Sequence, residues 1–349
     1  MRARTVAILS RMDVSLRALT EERLQVGYRE RTGSIASIAR ATDYDALRKR
    51  CACVTLLAGS GSRWVSSLRE AASSGSPSGF DERAPRGLYP VRNVMDIPGA
   101  TVPIAAYALR AARGLGKTVL VVRGWEREIE EGILRPLGYA PGSWVFRTQA
   151  VRDGKPRGHG DAAFQCMDSW RDREFVLFNF GGDASNPFTA RAALAVLAAL
   201  DADKPSGAPG LLMPVARVEG AAYPVSVDER GLPRSFGHAK LKAAGLASGG
   251  PSYTNVGLRL YRSSELAVAI EAIRREFWTP ERGYAIPGND PEGGEFALDN
   301  VDEYLAQRGK ARLLHIARPE ELSPVKSLGD IARFEKDMEA VWKDASILP

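Results

Sequence analysis

From Val54 to Leu200, short apolar runs alternate with longer amphipathic or alanine-rich stretches, and this alternation limits the possible folds most. The runs Val54–Ala58, Lys117–Val122, Trp144–Thr148 and Phe175–Phe180 have the length and residue types of strands. Between and after them, Val102–Arg113, Trp125–Leu134, Asp161–Arg171 and Ala190–Leu200 read as helices. Strands alternating with helices pair in parallel, with helices covering both faces of the sheet. The expected fold is therefore α/β, built on a mostly parallel sheet flanked by helices. Ligands of such sheets lie beyond the carboxyl ends of the strands.

The second half is less regular. Gly210–Val215, Tyr223–Val227, Val256–Tyr261 and Ala311–Ile316 are strand-like, and Ser263–Phe277, Asp299–Gln307 and Ser327–Lys343 read as helices. Residues 14–50 read as an N-terminal helical extension divided at Gly33-Ser34. The Ser/Gly-rich, charged stretch Ser66–Ala84 reads as a mobile loop, and Gly283–Gly294 as a second one. No internal repeat is present.

At 349 residues, 44% apolar and 26% charged, the chain has the composition of a soluble globular protein. It has no apolar run near the ~18 residues that span a bilayer, and because the short apolar stretch Val6–Leu9 is soon interrupted by Asp13, neither a secretory signal nor a membrane partner is expected. Three cysteines, Cys51, Cys53 and Cys166, form neither a disulfide framework nor a zinc-spaced set, which points to the reducing cytoplasm. The net charge of +6 is concentrated in residues 1–50, which hold 11 Arg and Lys against 6 Asp and Glu. This fits a solvated arginine-rich extension better than a nucleic-acid arm, because the main domain has no basic stripe interleaved with aromatics.

Two glycine-rich turns fall at strand ends. The first, Leu56-Leu57-Ala58-Gly59-Ser60-Gly61-Ser62-Arg63, is either an ordinary turn or a cradle whose backbone N–H groups approach a phosphate chain, with Arg63 adding charge. The second, Gly181-Gly182-Asp183, puts a carboxylate where a Mg²⁺ ion could bridge it to phosphate oxygens. Alternatively, Asp183 caps the helix that starts near Pro187. Arg86, in Pro85-Arg86-Gly87, is either a second phosphate cation or a surface arginine. In Gly158-His159-Gly160-Asp161, the histidine sits between glycines and suits ligand contact, while Asp161 can cap the helix that follows. Lys326 precedes the last helix, where an anion would suit it, but solvation is the plain alternative. Asn255 either reads sugar hydroxyls or makes an Asx turn.

In order, these segments resemble the UDP-sugar pyrophosphorylase family of the sugar-nucleotidyltransferase superfamily. Leu56–Arg63 is similar to the family's L-A-x-G-x-G-[ST]-R, with Leu57 in place of Ala, and Pro85–Val91 to its P-K-G-[ML]-Y-P-[VI], with Arg86 in place of Lys. Gly158–Ala162 resembles its G-H-G-D segment, the strand ending at Asp183 its metal-bearing strand, and Tyr253–Tyr261 its T-N-N strand. Glu295–Asp299 resembles E-x-F-x-F-D, and Glu321–Ile331 the F-x-P-[VL]-K segment. The likeness spans about residues 50–340.

The resemblance implies a Rossmann-like, GT-A-like nucleotidyltransferase fold with a mixed, mostly parallel sheet flanked by helices. It also implies transfer of a nucleoside monophosphate, UMP from UTP, to a sugar 1-phosphate with Mg²⁺, releasing pyrophosphate. Leu57, Ala58, Gly59, Ser60, Gly61, Ser62, Gln149 and Gly158 would bind the nucleotide. Arg63, Arg86 and Lys326 would neutralise the phosphates, and Asp183 would hold the metal. His159, Gly160, Asn255, Glu295 and Asp299 would lie on the sugar-phosphate side. The expected organisation is an extension at 1–50, a catalytic domain at 51–320 (nucleotide side 51–205, sugar side 206–320) and a closing segment at 321–349. The alternative is a non-catalytic binding protein of the same fold.

Overall fold

The computed structural model describes residues 35–59, 61–75, 79–95, 97–152, 155–203, 207–219, 224–228, 232–236, 251–287 and 294–345. The helical reading of residues 14–34, Ser60, and residues 288–293 of the second loop lie outside them.

At the centre is strand β1 (Cys51–Leu56), flanked in parallel by β2 (Lys117–Val122) and β4 (Phe175–Phe180), with β3 (Trp144–Thr148) parallel to β2. These four strands, in the order β3-β2-β1-β4, form a parallel core. Alternate β1 side chains enter opposite layers. Ala52 and Val54 pack with helices α3 (His159–Gln165), α5 (Ser263–Phe277) and α6 (Leu298–Gln307). Cys51 and Cys53 pack with α4 (Pro187–Asp203). Further along the sheet, Leu120 and Val122 meet α2 (Ala105–Ala112) and α7 (Ile331–Ala345). Burial on both faces explains why the strands read as unbroken apolar runs.

Beyond β4 the sheet turns mostly antiparallel, which corrects the expectation of a mostly parallel sheet. Strands β5 (Leu211–Glu219), β6 (Pro224–Val227), β7 (Pro233–Ser235), β8 (Pro251–Asn255), β9 (Arg259–Arg262) and β10 (Ala311–His315) complete ten strands. Only β10 runs parallel to its partner, β5. The short connection between β6 and β7 leaves no room for the crossover that a parallel step needs. Strands β8 and β9 follow β5 in one antiparallel direction, with Asn255 opposite Val215 and Leu260 opposite Leu212. The expected strand Val256–Tyr261 is therefore broken between Asn255 and Arg259, at Gly257, whose φ is +74°.

The stretch read as a mobile loop, Ser66–Ala84, is also corrected. Helix α1 (Ser62–Ser73) occupies its first part, because Trp64 and Leu68, one turn apart, are both buried. Its serines and charges belong to the opposite face. The Trp64 ring meets Tyr89 edge-on at 5.0 Å, while Phe80 closes the cluster at 5.3 Å from Tyr89. No helix among the described residues is long and apolar enough to cross a membrane.

Candidate functional site

Strands β1 and β4 deliver their glycine turns to the same sheet edge, where a cavity of about 190 Å³ opens. Its wall includes Leu57, Ala58, Gly59, Arg86, Gln149, Gly158, His159, Phe180 and Glu295. Arg86 heads a short 3-10 turn (Arg86–Leu88), and its guanidinium lies across the second glycine turn. A Cβ on Gly182 would stand 2.2 Å from Arg86 Nε, so only glycine admits the arginine there. Arg86 Nη1 would stand 3.7 Å from a Cβ on Gly61, which brings the cation against the first glycine turn as well. Its Nη2 is 3.7 Å from Asp183 Oδ1, an ion pair longer than a hydrogen bond.

Asp183 is part-buried. Burial raises its pKa, while the positive charges of Arg86, Lys326 and Arg259 pull against that rise without cancelling it. Lys326 arrives because the Val325 N–H donates to the Gly182 carbonyl at 3.1 Å, tying the closing segment to the same turn. Asp183 does not cap α4. Asn186 takes that role, its Oδ1 accepting the Phe188 N–H at 2.9 Å. The bulge between β8 and β9 makes room for the carboxylate, since a Cβ on Gly257 would stand 2.5 Å from Asp183 Oδ2.

Around His159 two segments are laced together. Gly160 N–H donates to the Phe296 carbonyl and Phe296 N–H to the Arg157 carbonyl, each at 2.8 Å. His159 Nδ1 accepts the Leu298 N–H at 2.8 Å, and Nε2 is 3.7 Å from Asp299 Oδ2. Burial lowers the imidazole pKa to about 4, with Asp299 opposing and Arg259 assisting. Gly160 faces the Phe296 ring rather than the cavity: a Cβ there would meet ring carbons at 2.9 Å. Asp161 is not the N-cap of α3, a position held by Gly158 with φ +91°. It lies within the helix, buried, accepting the Tyr284 hydroxyl at 2.6 Å and pairing with Arg274 at 3.3 Å. Gln149 Nε2 donates to the Gly158 carbonyl at 3.1 Å, fixing the cavity's far wall.

The structure thus gathers Leu57, Ala58, Gly59, Arg86, Gln149, Gly158, His159 and Glu295 on one cavity, with Asp183 and Lys326 joined to it through Arg86 and Gly182. Ser62 and Arg63 are exposed on the first turn of α1, off the wall. Asn255 is also off it, its Oδ1 accepting the Gly257 N–H at 3.2 Å as an Asx turn does. Asp299 reaches the site only through His159. Sequence reasoning missed Arg259, Tyr261, Asp302 and Glu321, all buried. The legible signal was Arg259 inside the apolar run Leu258-Arg259-Leu260-Tyr261, with two acids three residues apart on the later helix.

No known protein-family profile matches the chain, and no curated protein matches it in sequence.

Proposed function

We propose that this protein is a nucleotidyltransferase that moves a nucleoside monophosphate, UMP from UTP, onto a sugar 1-phosphate. In that reaction a phosphate oxygen of the sugar attacks the α-phosphorus, and the bond to the leaving pyrophosphate breaks. The observation that carries the reading is the convergence of Arg86, Asp183 and Lys326 on two glycine turns at the carboxyl ends of parallel strands. Such a transfer needs positioning and charge neutralisation more than covalent help from the protein. The open space at Gly59 suits a phosphate chain, Arg86 and Lys326 supply fixed charge, and Gln149 with Gly158 suits the base end. The parallel core with ligand groups at its carboxyl edge agrees with a Rossmann-like, GT-A-like arrangement. Three buried free thiols suit a reducing cytoplasm.

Mg²⁺ fits one place. It commonly takes one or two carboxylates and completes its shell with water and phosphate oxygens. Asp183 is such a carboxylate, only loosely paired at 3.7 Å, and no cluster of three or more His, Cys, Asp or Glu side chains able to hold a metal exists among the described residues. A metal at Asp183 would therefore depend on the nucleotide and would add charge neutralisation when bound. The cation beside Asp183 also supports a second reading, a binding protein without turnover, because Arg86 offsets part of the acid's charge with no metal bound. Pyrophosphate release with Mg²⁺, across five NTPs and a panel of sugar 1-phosphates, tests both. Turnover with one NTP supports the enzyme. NTP binding without release, unchanged in Asp183→Ala, supports the binding protein.

A further inference from the structure

Arg259 belongs to none of the cavity's glycine motifs, yet it organises one wall of the cavity. It sits on β9 with only 3% of its surface exposed. Its Nε donates to Asp302 Oδ2 at 2.8 Å and its Nη2 to Asp299 Oδ1 at 2.7 Å. The two acids lie three residues apart on α6 and so share a face, which the planar fork of an arginine can span and a single ammonium cannot. The other Asp302 oxygen accepts the Tyr261 hydroxyl. The guanidinium also lies over the Phe180 ring, 5.4 Å from its centroid.

Both groups beside the imidazole edge are therefore in Arg259's grip. Phe180 meets the His159 ring at 89° with centroids 5.2 Å apart. Asp299, its Oδ1 taken by Arg259, keeps Oδ2 at 3.7 Å from His159 Nε2. On the other edge, Nδ1 accepts the Leu298 N–H, so a neutral ring carries its proton on Nε2. The charged groups around the ring are Asp299 from α6, Arg259 from β9, and Arg86 and Glu295 on the same cavity wall.

We propose that Arg259 is a positioning residue of the cavity: by holding Asp299 and Phe180, it keeps His159 as a fixed, neutral Nε2–H donor. Its importance to function rests on the cavity being the substrate site proposed above, whereas the state of the imidazole does not. At neutral pH His159 then gives a hydrogen bond and does not take a proton. Without Arg259, the Asp299 carboxylate loses its partner and draws a proton onto the ring.

The experiment is ¹⁵N NMR of histidine-labelled full-length protein across pH, with no ligand needed. The chain has three histidines, so His159→Gln identifies the signal. In the wild type, the Nε2–H tautomer is expected to persist down to about pH 5. Arg259→Met is expected to raise the titration midpoint by about one to two units, and Arg259→Lys by less. Adding Asp299→Asn to either is expected to reverse the shift. If Arg259→Met does not fold, the Arg259→Lys and Asp299→Asn pair carries the test. An unchanged midpoint and tautomer in folded Arg259→Lys and Arg259→Met, or in folded Arg259→Lys where Arg259→Met does not fold, overturns the proposal, as does a shift that Asp299→Asn fails to reverse. If the expected NMR response came with no pyrophosphate release by the wild type, the proposed reaction would fail while the role of Arg259 stood.

Discussion

The Thr189 hydroxyl donates to Glu321 Oε1 at 3.0 Å, fastening the segment that leads to Lys326 onto the first turn of α4. The same oxygen accepts the Arg318 N–H at 3.0 Å and Asn186 Nδ2 at 3.3 Å. Asn186 follows Asp183 by three residues, so one buried carboxyl ties together the two segments that carry charge to the site.

Burial pushes the Glu321 pKa up to about 7, against the pull of these donors. Its pKa is thus raised in the folded chain. The associated stability is fully present below about pH 4.5 and is lost as pH rises through about 7. In urea unfolding between pH 4.5 and 7.5, Glu321→Gln is expected to flatten the fall in stability that the wild type shows. Parallel curves for the two proteins would show that the carboxyl does not titrate there. Glu321→Ala, which leaves three donors without an acceptor, is expected to lose about 2–4 kcal/mol at pH 6.

Gly257→Ala is expected to damage the site more than the fold. Its φ of +74° disfavours a side chain, at roughly 1 kcal/mol, and the new Cβ would fall 2.5 Å from Asp183 Oδ2. The carboxylate has to leave its present position beside Arg86 and Lys326. Thermal unfolding should show a drop of a few degrees, while, if the protein is the proposed enzyme, Mg²⁺-dependent pyrophosphate release should fall about 100-fold or more. Gly114→Ala, with a similar φ of +77° but nothing within 4 Å, is the control for strain alone.

The parallel core could be read from the sequence because burial on both faces writes each strand as an unbroken apolar run. The second glycine turn was equally legible, and at Gly182 close approach of Arg86 leaves no room for a side chain, whereas the break at Gly257 was hidden inside an expected strand. Helix α1 was not, because its buried stripe is only Trp64 and Leu68 and the rest of its surface resembles a loop. The Arg259–Asp299–Asp302 array was hidden for a related reason. Charged residues on a helix read as solvated, and only the register of β9 against β4 brings an arginine beneath them. The antiparallel half depends on pairings between distant segments, which local patterns do not encode.

Arg86 and Asp183 should separate binding from turnover. If the protein is an enzyme, Arg86→Ala is expected to reduce kcat about 10²–10³-fold because the negative charge developing on the leaving pyrophosphate is no longer neutralised. Arg86→Lys should recover part of this, because a point charge replaces the fork. Asp183→Asn should abolish Mg²⁺ dependence along with turnover while leaving the fold intact by circular dichroism. Wild-type-like turnover in Asp183→Asn would remove the acid from the mechanism.

Gly160 and Phe296 should behave as a coupled pair. A Cβ at Gly160 meets three carbons of the buried ring at 2.9 Å, so Gly160→Ala alone is expected to destabilise by about 1–3 kcal/mol through overpacking. Phe296→Ala alone empties part of the core and is expected to lose about 3–5 kcal/mol. Once the ring is gone, the new methyl enters vacated space on a helix, where alanine is favoured over glycine by roughly 1 kcal/mol. Gly160→Ala should therefore change sign, becoming neutral or stabilising in the Phe296→Ala background. A urea double-mutant cycle reads this directly, with a coupling of about 2 kcal/mol expected. Additive losses would mean that Gly160 is required for backbone geometry or for a ligand, and that Phe296 does not explain it.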